Sequence, residues 1–207
     1  MKIVVISDTH SQHHALNIPD ADILIHAGDF SWGKKDLSDV IDFNSFLEKL
    51  PHRHKLVVAG NHDFAFARTP KKARECLSAA IYLQDNLVEI DGLKIYGSPW
   101  QPAFLNGAFN LEIIEDLAEK WAAIPSGIDI LITHTPPYGI GDIIRSGKHV
   151  GCRALSKAID RIVPKYHIFG HIHESFGTTQ LKDTTFINAS ICDVFGNPCQ
   201  PIVSFEL

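Results

Sequence analysis

The constraint that bears hardest on this chain is a set of five short motifs, each placed directly after an apolar, strand-like run. They are Asp8-Thr9-His10, Gly28-Asp29, Gly60-Asn61-His62-Asp63, Thr133-His134 and Gly170-His171-Ile172-His173. In open α/β sheets, ligands gather beyond the carboxyl ends of the strands, so motifs at such ends imply one shared site rather than scattered polar turns. Buried Asp and His clusters are costly without a metal or a counter-charge, which weighs against a merely structural reading of the set. The donors suit two adjacent metal ions, with one imidazole left uncoordinated.

The segments between the motifs fix the fold class. Lys2 to Ser7, Asp22 to His26 and Lys55 to Ala59 are nearly continuous in Val, Ile and Leu, the pattern of strands buried on both faces. Leu37 to Leu50 carries Val40, Ile41, Phe46 and Leu47 at helical spacing and stops at Pro51. Pro70 to Leu77 predicts a short helix with Pro in its first turn. Leu87 to Ile90 and Leu93 to Tyr96, joined by Asp91-Gly92, predict a β-hairpin. Asn110 to Ala123 predicts a helix capped by Asn110, and Cys152 to Val163 another. Ile128 to Thr133, Tyr166 to Phe169, Thr185 to Ala189 and Ile202 to Phe205 complete the strands. No repeat, low-complexity tract or linker intervenes, so residues 1–207 are expected to form one α/β domain.

Composition excludes several functions. The net charge of -5 argues against a protein that coats nucleic acid through its phosphates. No apolar run approaches the ~20 residues that span a bilayer. The four cysteines, Cys76, Cys152, Cys192 and Cys199, form no CxxC pair and are expected as reduced thiols in the cytoplasm, with disulfides or zinc ligation as the minority reading. His13, His14, His52, His54 and His149 sit in polar contexts and are expected to be solvated. His26 and His167 lie on strands, as core histidines or as support for a site. Ser98 to Phe109, rich in aromatics and turn formers, either borders a pocket or packs on the core. Trp100, Phe104 and Phe109 within it could stack on a base or fill space.

Oxygen and imidazole donors without thiolates suit Mn²⁺, Fe²⁺ or Zn²⁺. A carboxylate such as Asp29 has lone pairs enough to bridge two cations. Asn61 offers a neutral carbonyl oxygen. His171 and His173, two apart on an extended segment, could each serve a different ion.

In order and identity these motifs resemble those of the calcineurin-like metallophosphoesterase superfamily, whose pattern is DxH, GD, GNH(E/D), H and GHxH. Gly97-Ser98-Pro99-Trp100-Gln101-Pro102, His134-Thr135-Pro136-Pro137, Gly170-His171-Ile172-His173-Glu174 and Asn188-Ala189-Ser190 are similar to the branch of mammalian brain metallophosphoesterase-domain proteins and their bacterial relatives. The resemblance implies a two-sheet β-sandwich flanked by helices. It implies a first metal held by Asp8, His10, Asp29 and His173. A second would be held by Asp29, Asn61, His134 and His171, with Asp29 as the bridge. His62 matches the histidine that stays off the metals and faces the leaving group, and Asp63 has a supporting role.

Two cations ~3.5–4 Å apart can neutralise a phosphoryl group and activate water as hydroxide, with Mn²⁺ the favoured metal. The expected activity is a metal-dependent phosphoesterase. Protein phosphatases of the superfamily extend the second motif to GDxxDRG, whose arginine grips a phosphate dianion. Here the run is Gly28-Asp29-Phe30-Ser31-Trp32-Gly33, without that arginine. This favours phosphodiesters, small and nucleotide-like, over monoesters. The alternatives are a phosphomonoesterase or protein phosphatase, and a non-catalytic interaction module of the same fold.

Overall fold

Four apolar strands open the architecture: β1 (Lys2–Ile6), β2 (Ile23–His26), β3 (His54–Val57) and β4 (Ile81–Tyr82). The chain continues through β5 (Asn86–Ile90), β6 (Leu93–Ser98), β7 (Gln101–Pro102), β8 (Asn110–Leu111) and β9 (Ile130–Thr133). It ends with β10 (Tyr166–Phe169), β11 (Gly177–Leu181), β12 (Thr184–Asn188) and β13 (Val203–Glu206). Helices α1 (Ser38–Glu48), α2 (Phe64–Arg68) and α3 (Pro70–Cys76) lie between β2 and β4, while α4 (Ile114–Ala122) and α5 (Arg153–Ile162) flank β9. The computed structural model describes residues 1–207 throughout.

The strands form two main sheets, β13-β1-β2-β3-β4 and β11-β12-β10-β9-β6-β5. Neighbours from β1 to β4 and from β12 to β6 are parallel, and the antiparallel strands β13, β11 and β5 take the outer positions. The alternation of side chains along each strand explains the continuous apolar runs. Ile3, Val5, Ile23 and Ile25 face Ile95, Ile130, Ile132 and Ile168 across the space between the sheets. Val4, Ile6 and Leu24 point the other way, onto Phe43, Phe46, Leu47 and Phe66 of α1 and α2. On the far side Leu131, Phe169 and Phe186 pack against Leu117, Trp121, Leu155 and Ile159 of α4 and α5. The result is a helix–sheet–sheet–helix sandwich. No helix is long and apolar enough to cross a membrane.

The sheets join at one end. Ser7, just past β1, donates its N–H to Ala189 O and accepts from Ile191 N–H, both at 2.9 Å. That junction brings the carboxyl ends of β1 and β12, one from each sheet, to the same place. The five motifs follow β1, β2, β3, β9 and β10, so their side chains are delivered to this seam.

Three local expectations need correction. The helix expected from Asn110 begins at Ile114 instead. Asn110 and Leu111 pair with Gln101 and Pro102, because the Asn110 carboxamide accepts from Gln101 Nε2 at 2.8 Å and donates to Phe104 O at 3.1 Å. Engaged there, it cannot cap a helix. His13 and His52 are buried rather than solvated. His13 packs against Phe43 and Phe46 with ring centroids 5.2 and 5.0 Å away, and His52 bonds to Pro19 O.

Helix α1 tests the layer arrangement. Phe43 is fully buried, stacked 4.4 Å from Phe30, whereas Ile41 on the same helix is 56% exposed. Phe43→Ala should cost about 3–5 kcal/mol in urea unfolding, and Ile41→Ala should stay within about 0.5 kcal/mol of the parent. Equal losses would contradict this placement of the helix.

Candidate metal centre

Each motif leaves its strand through a tight turn. Asp8, His10, Asp29 and His171 have φ of 53°, 42°, 57° and 69°, a left-handed region that Asp and His enter more readily than most residues. Such conformations concentrate at functional sites, where the surrounding fold holds them in place. Two motif glycines are needed for close approach rather than for flexibility. A Cβ at Gly60 would overlap Asp29 Oδ1, and one at Gly170 would overlap Asp8 Oδ2 and Ser7 Oγ.

The eight motif residues expected to form the site meet at the seam. His173 Nε2 lies 3.3 Å from both His10 Nε2 and Asp8 Oδ1. His134 Nε2 lies 3.0 Å from Asn61 Oδ1 and 3.4 Å from Asp29 Oδ2. The His171 ring stands edge-on to that of His134, with centroids 5.0 Å apart. His62 Nε2 is 4.0 Å from Asp29 Oδ2, at the periphery. Donor atoms of Asp8, His10 and His173 fall within 4.8 Å of one another, as do those of Asp8, Asp29 and His134, and of His10, Asp29 and His62. Asp8 and Asp29 therefore each belong to two ligand groups.

The electrostatics show what this arrangement wants. Burial works against a charge on Asp8 and Asp29, yet the facing His173 and His134 outweigh it and hold both carboxyls well below the usual carboxylate range. Main-chain donors help: His171 N–H reaches Asp8 Oδ2 at 3.0 Å and His62 N–H reaches Asp29 Oδ1 at 2.8 Å. Burial likewise opposes charge on His134 and His173, but Asp29 and Asp8 raise both to about 9. Burial, aided by the His134 charge, pushes His171 down to about 3.

A divalent ion fits this donor set. The Nδ1 atoms of His10, His134 and His173 face the carbonyl oxygens of Ser31, Ala27 and Asp193 at 3.3, 3.0 and 2.8 Å. A carbonyl can only accept, so Nδ1 keeps its proton, and a ring that gives up the second proton turns its Nε2 lone pair to the cluster. The proton that His173 holds on Nε2 then faces the His10 Nε2 lone pair at 3.3 Å, and a divalent ion would take that proton's place. Imidazoles fixed in this way are the usual partners of bound metals.

Other residues hold the donors in place. Asp63 is buried and accepts from Asp29 N–H, Gly60 N–H, Ser31 N–H and Ser31 Oγ at 2.7 to 3.0 Å. Burial and the Asp29 charge push Asp63 up to about 7, against the pull of those four donors. It clamps the second and third motifs together. His26 contacts Thr9 Oγ1 at 3.0 Å, and His167 contacts Thr133 Oγ1 at 2.8 Å, so these two core histidines each brace a threonine next to a motif Asp or His. Ser190 Oγ lies 2.9 Å from Asp8 Oδ2 and 2.8 Å from Asn188 Oδ1.

The cluster floors a cleft of about 830 Å³, within the usual size of small-molecule sites. Trp32, Phe104, Ile144, Arg145, Val150 and Val194 are among its walls. Sequence reasoning missed Arg145 and Val150 as wall residues, since nothing in their neighbourhood marks them, and missed Trp32 although it follows Asp29 by three residues. The aromatic loop divides its roles. Trp100 and Phe109 pack on each other, with Trp100 Nε1 donating to Asp85, whereas Phe104 is exposed and stands edge-on to His171.

Comparison with known proteins agrees with this construction. A family model described as calcineurin-like phosphoesterase matches residues 1–175. Metallophosphoesterase domain-containing protein 1 of Homo sapiens is 40% identical, covering 100% of this chain and 71% of its own length. A UPF0046 protein of Caenorhabditis elegans is 43% identical, covering 99% of this chain and 75% of that protein. The solved TT1561 of Thermus thermophilus shares the fold at TM-score 0.62 with 12% identity, over 90% of this chain and 88% of that one. GAP50, described as the anchor in the inner membrane complex of Plasmodium, also shares it, at TM-score 0.53 and 11% identity over 92% and 71% of the two chains. Fold alone therefore leaves the activity open. The motifs and the family match speak more narrowly, and through them the chain belongs to the calcineurin-like metallophosphoesterases.

Proposed function

We propose that residues 1–207 form one catalytic domain, a dinuclear-metal-dependent phosphodiesterase for small, nucleotide-like phosphodiesters. The observation that carries this reading is the convergence of three Nδ1-anchored imidazoles on two buried carboxylates. Asp8, His10, Asp29 and His173 would hold one divalent ion. Asp29, Asn61, His134 and His171 would hold the other. Mn²⁺ is the proposed ion, compatible with the carboxylate and carboxamide oxygens, with Fe²⁺ or Zn²⁺ as alternatives that suit the imidazoles. When bound, the two ions supply neutralisation of phosphoryl charge and a more acidic water as nucleophile.

His62 has a separate task. Its side chain is 39% exposed, faces the cleft, and stands off the carboxylate pair. In this role it donates a proton to the departing ester oxygen. Its main chain is fixed by Asp29 Oδ1 and by Ser31 Oγ, which donates to His62 O at 2.8 Å. Where GDxxDRG would place its charged Asp and Arg stand Trp32 and Gly33, and the Trp32 indole packs 4.7 Å from His10 and 6.1 Å from His62. An apolar ring there offers nothing to the second charge of a monoester, which supports the diester preference. Unpaired Cys76, Cys152, Cys192 and Cys199 suit a reducing cytoplasm.

Purified protein with Mn²⁺ should hydrolyse bis-aryl phosphates with higher kcat/KM than mono-aryl phosphates. A wide preference for monoesters would replace the diesterase reading by the monoesterase one. Chelation should abolish turnover. Asp29→Asn should cut activity more than Asn61→Ala or His10→Ala, because it serves both ions. Elemental analysis finding two ions per chain in Asp29→Asn would sink its bridging role. His62→Ala should slow release of a ribose alkoxide by roughly 10²–10⁴-fold and release of nitrophenolate far less, with metal content unchanged. Equal losses on both esters would remove His62 as proton donor.

A further inference from the structure

The wall of the cleft carries a charged arm that the metal-ligand cluster does not use. Past β9 the chain folds around Asp142, whose buried carboxylate accepts from Gly139 N–H at 3.0 Å, Gly151 N–H at 2.9 Å and His149 Nδ1 at 2.6 Å. The tip closes on itself, with Ile144 N–H donating to Lys148 O at 3.1 Å and Gly147 N–H to Ile144 O at 2.8 Å. It is also fastened to the metal-ligand segment. Ser175 Oγ, two residues past His173, accepts from Ile143 N–H at 2.9 Å and donates to Ile143 O at 2.7 Å. Asn188 Nδ2 donates to Gly141 O at 3.2 Å. Ile144, Arg145 and Ser146 are thus presented to the cleft by a braced frame.

Arg145 is the only lysine or arginine among the residues lining that cleft, whose other charged walls are Asp29 and Glu174 beside the histidines. Its guanidinium has no carboxylate partner in the protein and stands 5.9 Å from the Phe195 ring. An unpaired guanidinium is a planar fork that matches two phosphoryl oxygens at once.

We propose that Arg145 is the anion-binding residue of the cleft, taking the phosphoryl oxygens of a singly charged ester bound against the Asp/His cluster. This rests on the phosphoesterase reading above and narrows its substrate class. The fork can serve a phosphoryl group of either charge, so the substrate class is narrowed by the walls around it. Trp32, Phe104 and Val150, exposed on the walls of the same cleft, give the organic substituents an apolar surface, so at least one of those substituents should be flat and apolar.

The experiment compares Arg145→Ala, Arg145→Lys and Lys148→Ala, each loaded with Mn²⁺. It reads KM and kcat for bis-para-nitrophenyl phosphate, the calorimetric Kd for inorganic phosphate, and metal content. Arg145→Ala should raise both KM and Kd by about tenfold or more. Its kcat should stay within about threefold, as expected when an interaction is made equally in the ground and transition states. Arg145→Lys should recover part of the loss, because it keeps the charge but not the fork. Lys148→Ala, on the same loop but outside the lining, should match wild type. Wild-type KM and Kd in Arg145→Ala would overturn the assignment, as would an equal loss in Lys148→Ala. Wild-type protein that neither turns over phosphoesters nor binds phosphate would instead sink the phosphoesterase reading itself.

Discussion

Asp8 and Asp29 carry buried negative charges side by side at the seam of two sheets, and the surrounding structure is built to tolerate them. A buried carboxylate without partners would take up a proton. Here main-chain N–H groups from His171 and His62 point at the oxygens, and Ser190 adds a hydroxyl. Such donors must come from chain segments lying almost in contact with the carboxylates, which is why Gly60 and Gly170 have no room for a side chain. What the donors leave uncompensated falls to cationic partners, protons on His134 and His173 or divalent ions in their place. Protons and metals compete for such imidazoles, so the charge demand and the metal chemistry are the same requirement.

The rigidity behind this comes from packing. Each of these motifs leaves a strand whose faces are covered on both sides, so its starting point cannot shift without disturbing a close-packed layer. Asp63 then ties the second and third motifs together through four donors, while His26 and His167 steady the threonines beside Asp8 and His134. Sites supported from strand ends in this way hold geometry better than sites carried on loops alone.

What could be read from the residues follows the same division. Strands covered on both faces write themselves as nearly continuous Val, Ile and Leu runs, and β1, β2 and β3 appear at nearly the expected limits. The convergence of the motif side chains was legible because carboxamide, carboxylate and imidazole at successive strand ends point to one place. The edge strand β11, Gly-Thr-Thr-Gln-Leu, is mostly polar and exposed, and α2 is only five residues long, so neither leaves a periodic trace. Asn110 has the sequence of a cap but the contacts of a strand anchor, decided by Gln101 and two carbonyls that no local pattern names. Likewise His13 owes its burial to Phe43 and Phe46 on a helix some thirty residues onward. The far wall of the cleft, with Trp32 and Arg145, exists only through long-range folding.

The hydrogen bonds around Asp8 span 163 residues to His171 and 182 to Ser190. Closing such long loops costs chain entropy before any contact repays it, which makes topologies of this kind slow to fold. On a ribosome the first motif emerges early, yet its carboxylate has to wait for the last third of the chain to receive its donors. The centre is therefore assembled late, and its completion reports that both sheets have closed. A chain arrested before Ser190 could build much of the first sheet and still lack the means to keep Asp8 charged and buried.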